Sequence, residues 1–327
     1  MTGSELVAPA AILVTWLSSP VPLMALLDFI LNLVGLLLWF NWRAARFDPL
    51  SVSRPATLAG TIRRAEKTAF KRWHLPFALL GLLLLRVPLY VEFGSALNWT
   101  GKIDIGTISL PFKSNATSYV PMLLYSFYSF GVVLAVFLIW VLLLSALKSA
   151  APESDSLRQL LQLHLGRVER WSRGPKLLLP LLAIAPVWWL ASWPLTLYGI
   201  LPAPSGMLAR LLQALLVGLG SYLAWKFLLV GIFALYFVSS YVFFGRQPFW
   251  QHLDLVARQL LAPLRKLPLR LGKFDFAPLV GIVLVLGIAY VAEQGIKTPQ
   301  RFNAAGQPLG RLVNLPGLVD FYERVSK

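Results

Sequence analysis

Six stretches of this chain, 21–42, 75–93, 119–147, 177–200, 211–244 and 278–296, are each apolar over about the 20 residues that a helix needs to cross the hydrocarbon core of a bilayer. No other feature narrows the fold as much. In lipid every backbone N–H and C=O must be satisfied within the protein, which leaves helices or a closed barrel. Continuous apolar runs of this length do not suit barrel strands, which alternate over about 10 residues. The expected fold class is an all-α integral membrane protein with six transmembrane helices. Composition agrees, with 57% of residues hydrophobic and 13% charged, against roughly 25% charged in soluble domains. The fifth stretch is too long for one straight span, and an interfacial helix is expected to begin near Met207. Residues 8–18 are apolar but short and read as interfacial too. The first 42 residues carry no Lys or Arg, so they lack the basic region of a cleaved signal peptide.

Charge sets the expected orientation. The net charge is +16, with eight Lys and Arg in 43–74, six in 148–176 and six in 245–277. The alternate loops hold only Lys102 and Lys113, or none, and the C-terminal end from Lys297 onward holds five. The positive-inside rule places the three rich loops in the cytoplasm and both termini outside, in a bacterial cytoplasmic (inner) membrane. Trp39, Trp42, Trp73, Trp171 and Trp250 fall near the inner boundary, as an aromatic belt would. Basic residues confined to such loops meet anionic lipid headgroups at the cytoplasmic face rather than nucleic acid. Other membrane proteins are the further expected partners.

The basic loops also carry a repeat. Aligned on the prolines expected to open the following helix, Pro76, Pro180 and Pro278, each has an arginine thirteen residues upstream: Arg63, Arg167 and Arg265. Pro49, Pro152 and Pro248 stand near the start of each loop. The pattern reads as three tandem helical hairpins, each with an amphipathic cytoplasmic loop. Hairpin one, with the N-terminal interfacial segment, covers 1–100; hairpin two covers 101–206; hairpin three covers 207–297. An extracytoplasmic tail covers 298–327 and turns amphipathic around Leu312–Val325. The alternative is that any six-helix protein has basic inner loops and prolines at helix starts. In 251–264, Leu253, Val256, Leu260 and Leu264 recur at helical spacing, as in a helix lying on the inner leaflet. Loop 94–118 alternates Ile103, Ile105, Ile108 and Leu110, as in a short β excursion.

Hairpin three carries Pro263, Arg265, Lys266, Pro268, Gly272, Asp275 and Pro278 ahead of its second helix. Over about 225–296 this resembles the YGGT family of small bacterial and plastid membrane proteins. Ala277 stands where that family usually has serine, and Lys273 where a second glycine is common. The resemblance implies a non-enzymatic role in membrane organisation or complex assembly, or in osmotic and ion-stress tolerance. The residues themselves suggest simpler tasks. Pro278 suits the first turn of a helix, and Asp275 can accept from its free N–H groups or contact a partner or ion. Gly272 suits a turn, and Arg265 and Lys266 suit lipid phosphates.

Ionisable residues inside spans are costly and are functional candidates. Four stand out: Asp28, Arg86, Lys226 and Glu293. Arg86 is ten residues past Pro76, about 15 Å along a helix and close to mid-membrane, where it could meet Asp28. Such a pair could be structural glue or part of a conduit. Lys226 is expected to snorkel outward, and Glu293 to sit at the outer interface. No cysteine is present, the three histidines are dispersed, and no motif for nucleotide, zinc or serine chemistry appears. No enzyme activity, cofactor or metal site is expected. The leading expectation is a membrane scaffold or assembly factor; the alternative is an ion or small-solute channel or transporter linked to osmotic stress.

Overall fold

The computed structural model describes residues 20–46, 74–113, 119–147, 161–242, 248–264, 269–271, 274–296, 301–302, 308–309 and 315–326. The protein is mostly helical, and six helical stretches are long and apolar enough to cross a membrane: Leu23–Ala44, His74–Ala96, Tyr119–Ala146, Arg173–Leu197, Met207–Tyr241 and Ala277–Gln294. The long helices are α1 (Pro20–Arg46), α2 (His74–Ala96), α3 (Tyr119–Ala146), α4 (Arg173–Leu197), α5 (Met207–Gly220), α6 (Trp225–Tyr241), α7 (Pro248–Leu260) and α8 (Ala277–Gln294). A short α9 (Leu318–Ser326) follows. Apolar residues cover all sides of α2, α3, α6 and α8, and many point outward: Phe77, Leu85, Phe127, Phe227, Val283 and Ile288 are exposed. In water that would be untenable; against lipid tails it costs nothing.

The chain divides into two compact units, 1–103 with 111–134, and 104–110 with 135–327. In the first, α1 packs along α2. In the second, α4 packs along α5 and α6 along α8, while α9 packs on α5 and α8. The over-long fifth stretch is thus used in two halves. Met207–Tyr241 is 35 residues, about 52 Å of helix against about 30 Å of hydrocarbon. A 3₁₀ turn at Ser221–Ala224 joins the halves, and each half has its own helical partner.

Strands β1 (Thr100–Ile105) and β2 (Ile108–Lys113) form a hairpin, so the alternation in this loop is expressed as strand pairing. Its tip, in the second unit, rests on the end of α5. A Cβ added to Gly220 would stand 2.6 Å from Thr107 Cγ2, and one on Gly106, at φ +60°, would meet the Gly220 carbonyl. Glycine at both positions permits the approach.

Near the family-like motif, β3 (Arg270–Leu271) pairs antiparallel with β4 (Phe274–Asp275), leaving two residues between the strands. Asp275 Oδ1 accepts from the Ala277 N–H at 3.0 Å, and Pro278 lies at the start of α8. Pro263 is exposed in a turn, while Arg265, Lys266, Pro268 and Gly272 lie outside the described residues, as do 8–18. After α8 the tail folds back: β5 (Gly295–Ile296) pairs with β8 (Leu315–Pro316), and β6 (Arg301–Phe302) with β7 (Pro308–Leu309). The tail's amphipathic stretch becomes α9, whose Tyr322 is buried, a burial that pushes its hydroxyl up to about 12.

Two expectations are corrected. Pro180 does not open its helix: α4 begins at Arg173 and contains Pro180, Pro186 and Pro194. Pro180 therefore differs structurally from Pro278, and the proline alignment across loops is not one of equivalent helix starts. Nor does α7 turn its apolar face to a leaflet. Leu253, Val256, Ala257 and the following Leu261 pack against Ile232, Phe233 and Tyr236 of α6, with Leu260, Leu264 and Trp250 alongside. A facing protein wall buries the same stripe that lipid would have covered. Helices α3 and α4 meet through Lys176 and Ser145, whereas the long contact of α4 is with α5.

Candidate functional site

Helical spacing prepares the densest polar cluster of the first unit. Asp28 and Asn32 sit one turn apart on α1, and Arg86 and Tyr90 one turn apart on α2, so each pair shares a helix face. Ser126 and Ser129 lie on α3.

Arg86 Nη2 reaches Asp28 Oδ1 at 2.8 Å, with the Arg86 side chain fully buried and that of Asp28 17% exposed. Tyr90 fastens both: its hydroxyl donates to Asp28 Oδ1 at 2.6 Å and accepts from Arg86 Nε at 2.9 Å. Asn32 Nδ2 donates to Asp28 Oδ2 at 3.1 Å and to Ser129 Oγ at 2.8 Å. Ser129 Oγ in turn donates to Asp28 Oδ2 at 3.2 Å. The carboxylate therefore collects donors from three helices, as a charge removed from water requires. Among the described residues, Arg86 Nη1 and Asn32 Oδ1, both buried in the cluster, have no hydrogen-bond partner.

An aromatic group adjoins the cluster. Tyr125 meets Tyr90, Trp99 and Phe112 edge-on, with ring centres 5.3, 5.2 and 5.4 Å away. Edge-to-face pairs of this kind add to the burial of large apolar area.

The other two in-span charges singled out by the sequence are also matched. Lys226 does not snorkel alone and Glu293 does not stand alone: Nζ of one lies 3.0 Å from Oε2 of the other, joining α6 to α8, with both side chains about one-quarter exposed. Pairing offsets the cost of both charges, which is why it replaces the separate outward routes expected of each. Lys176, almost fully buried at the start of α4, donates to Ser145 Oγ at 2.8 Å and to the Glu169 carbonyl at 2.7 Å. Among the described residues no group of three or more His, Asp or Glu could hold a metal ion.

No family model, curated protein or solved structure matches this chain. The functional reading therefore rests on its own residues.

Sequence reasoning found Asp28, Arg86, Lys226 and Glu293 but missed the groups that serve them. Tyr90 and Asn32 were legible, each four residues from a charge on one helix face. Ser129 and Ser145 carry no such local signal, because their partners are distant in sequence. Arg210, in the first turn of α5, escaped as the opening of an apolar run.

Proposed function

We propose that this chain is a non-enzymatic membrane scaffold or assembly factor of YGGT type. The observation that carries the reading is the closure of the four in-span charges singled out by the sequence on one another, Arg86 on Asp28 and Lys226 on Glu293, with Lys176 held by Ser145 and the Glu169 carbonyl. Such pairs hold helices together, whereas a transport site needs polar groups free to exchange partners with a solute. The motif from Pro263 to Pro278 supports the family-level part of the reading. The test is ion and small-solute flux in liposomes reconstituted with purified protein. The expected flux equals that of protein-free vesicles; flux that responds to Asp28→Asn would overturn the scaffold.

A second reading, a conduit for ions or small polar solutes, is favoured by one observation. Arg86 Nη1 and Asn32 Oδ1 are a donor and an acceptor left without partners beside a partly exposed Asp28. The same flux assay decides between the two.

The proposed location is a bacterial cytoplasmic membrane with both termini outside, supported by the loop charges. Reporter fusions after Ser53, Gly166 and Leu264 are expected to read cytoplasm, and those after Gly101 and Gln307 the outside. Reversal at two of these sites would refute the orientation.

A further inference from the structure

Between Lys176 and Lys226 the chain carries a single charged residue, Arg210. It sits in the first turn of α5, beside the turn from α4. Its guanidinium carbon lies 4.8 Å from the ring centre of Trp193 on α4, over the aromatic face. No ion pair to Arg210 occurs among the described residues, and its Nε is buried without a partner.

Two further features converge on this turn. Gly206 caps α5 with no side-chain acceptor, and the first backbone bond of the helix runs from the Arg210 N–H to the Gly206 carbonyl. The N–H groups of Met207, Leu208 and Ala209 precede that bond and face the positive end of the helix dipole. One turn on, Gln213 is 1% exposed and neither atom of its amide has a partner among the described residues. Gln213 is three residues past Arg210 and so on the same face of α5, and helical side chains lean toward the helix N-terminus, the side of the first turn. Trp188, deeper on α4, likewise has a buried indole N–H without a partner.

The chemistry is that of an anion site rich in donors. Its surroundings select the anion. Leu197, Met207 and Leu208 around it are among the most exposed apolar side chains of the protein, a setting that suits acyl chains and not a freely soluble ion. We propose that the α4–α5 turn binds the phosphate of one anionic phospholipid, held by Arg210 and the open N–H groups of α5, with the amide of Gln213 as a further donor below. This site is independent of the scaffold reading and lies apart from the basic loops, where headgroup contact was expected.

The experiment is native mass spectrometry of the full chain, delipidated in mild detergent and titrated with phosphatidylglycerol or phosphatidylcholine of matched chains. Wild type is expected to retain one phosphatidylglycerol in preference to phosphatidylcholine. Arg210→Gln should weaken that retention about tenfold, since a charge-assisted contact is lost. Arg210→Lys should fall between, because a point charge replaces a planar fork stacked on Trp193. Equal retention by wild type and Arg210→Gln, or equal retention of both lipids, would overturn the proposal. Inorganic phosphate forms the second arm: if it binds wild type and not Arg210→Gln while no lipid preference exists, a soluble anion is the ligand and the lipid is excluded. If Arg210→Gln fails to fold, Trp193→Leu keeps the charge and removes the stacking face. Its retention should drop several-fold, and unchanged retention would overturn the site.

Discussion

Arg86→Gln should sharply reduce the amount of folded protein recovered from membranes. The change removes the cation from a carboxylate whose other partners are a phenol, an amide and a hydroxyl on α1, α2 and α3. Breaking a buried pair by removing one member typically costs about 3–5 kcal/mol, because the remaining charge is left uncompensated. A central charge in lipid costs about 2.5–3.5 kcal/mol on insertion scales, which sets a lower figure. Asp28→Asn should cost at least as much, since it strands the fully buried Arg86 cation, although the asparagine oxygen can still serve Tyr90 and Arg86 as an acceptor. The double change, Asp28→Asn with Arg86→Gln, should recover part of the loss, because members of a pair are not additive. Abundance in membranes and midpoints of unfolding in denaturing detergent measure all three variants. Normal abundance and midpoints in both single variants would mean that the pair does not hold the helices together, and would turn attention to the conduit.

The same cluster marks where sequence reasoning stops. That the spans exist was legible, because an apolar run of span length has no other stable solution in lipid. That Asp28 and Arg86 could meet was legible too, since helical rise places both near the same depth. What could not be read was the third helix. Ser129 is an ordinary serine in an apolar run until α3 brings it against Asp28. Lys226 and Glu293 each had an acceptable separate route to the interface, and only the packing of α6 on α8 makes a pair cheaper than two snorkelling side chains. Pro180 failed for a different reason. A proline signals a helix start in water, where its missing hydrogen bond ends the helix. In membrane proteins interior prolines are tolerated because neighbouring groups satisfy the freed backbone, and α4 contains three.

Phe233→Ala and Leu261→Ala test the correction that concerns α7. Both side chains belong to the buried cluster between α6 and α7, and both reach the same slot beside α8: a Cβ added at Gly281 would stand 3.0 Å from Leu261 Cδ2 and 3.0 Å from Phe233 Cε2. Truncating a buried phenylalanine typically costs about 3–5 kcal/mol and a buried leucine about 2–5 kcal/mol. The two losses should not add. Once one side chain is gone, the other has lost part of its wall, and contacting residues couple by about 0.5–3 kcal/mol. That coupling is the decisive quantity, because a helix lying on the leaflet would bury Leu261 in lipid tails with no dependence on Phe233. Unfolding midpoints of the two single variants and the double variant in denaturing detergent give it directly. Additivity within error would return α7 to the membrane surface, whereas a clear shortfall from the sum would place its apolar stripe against α6.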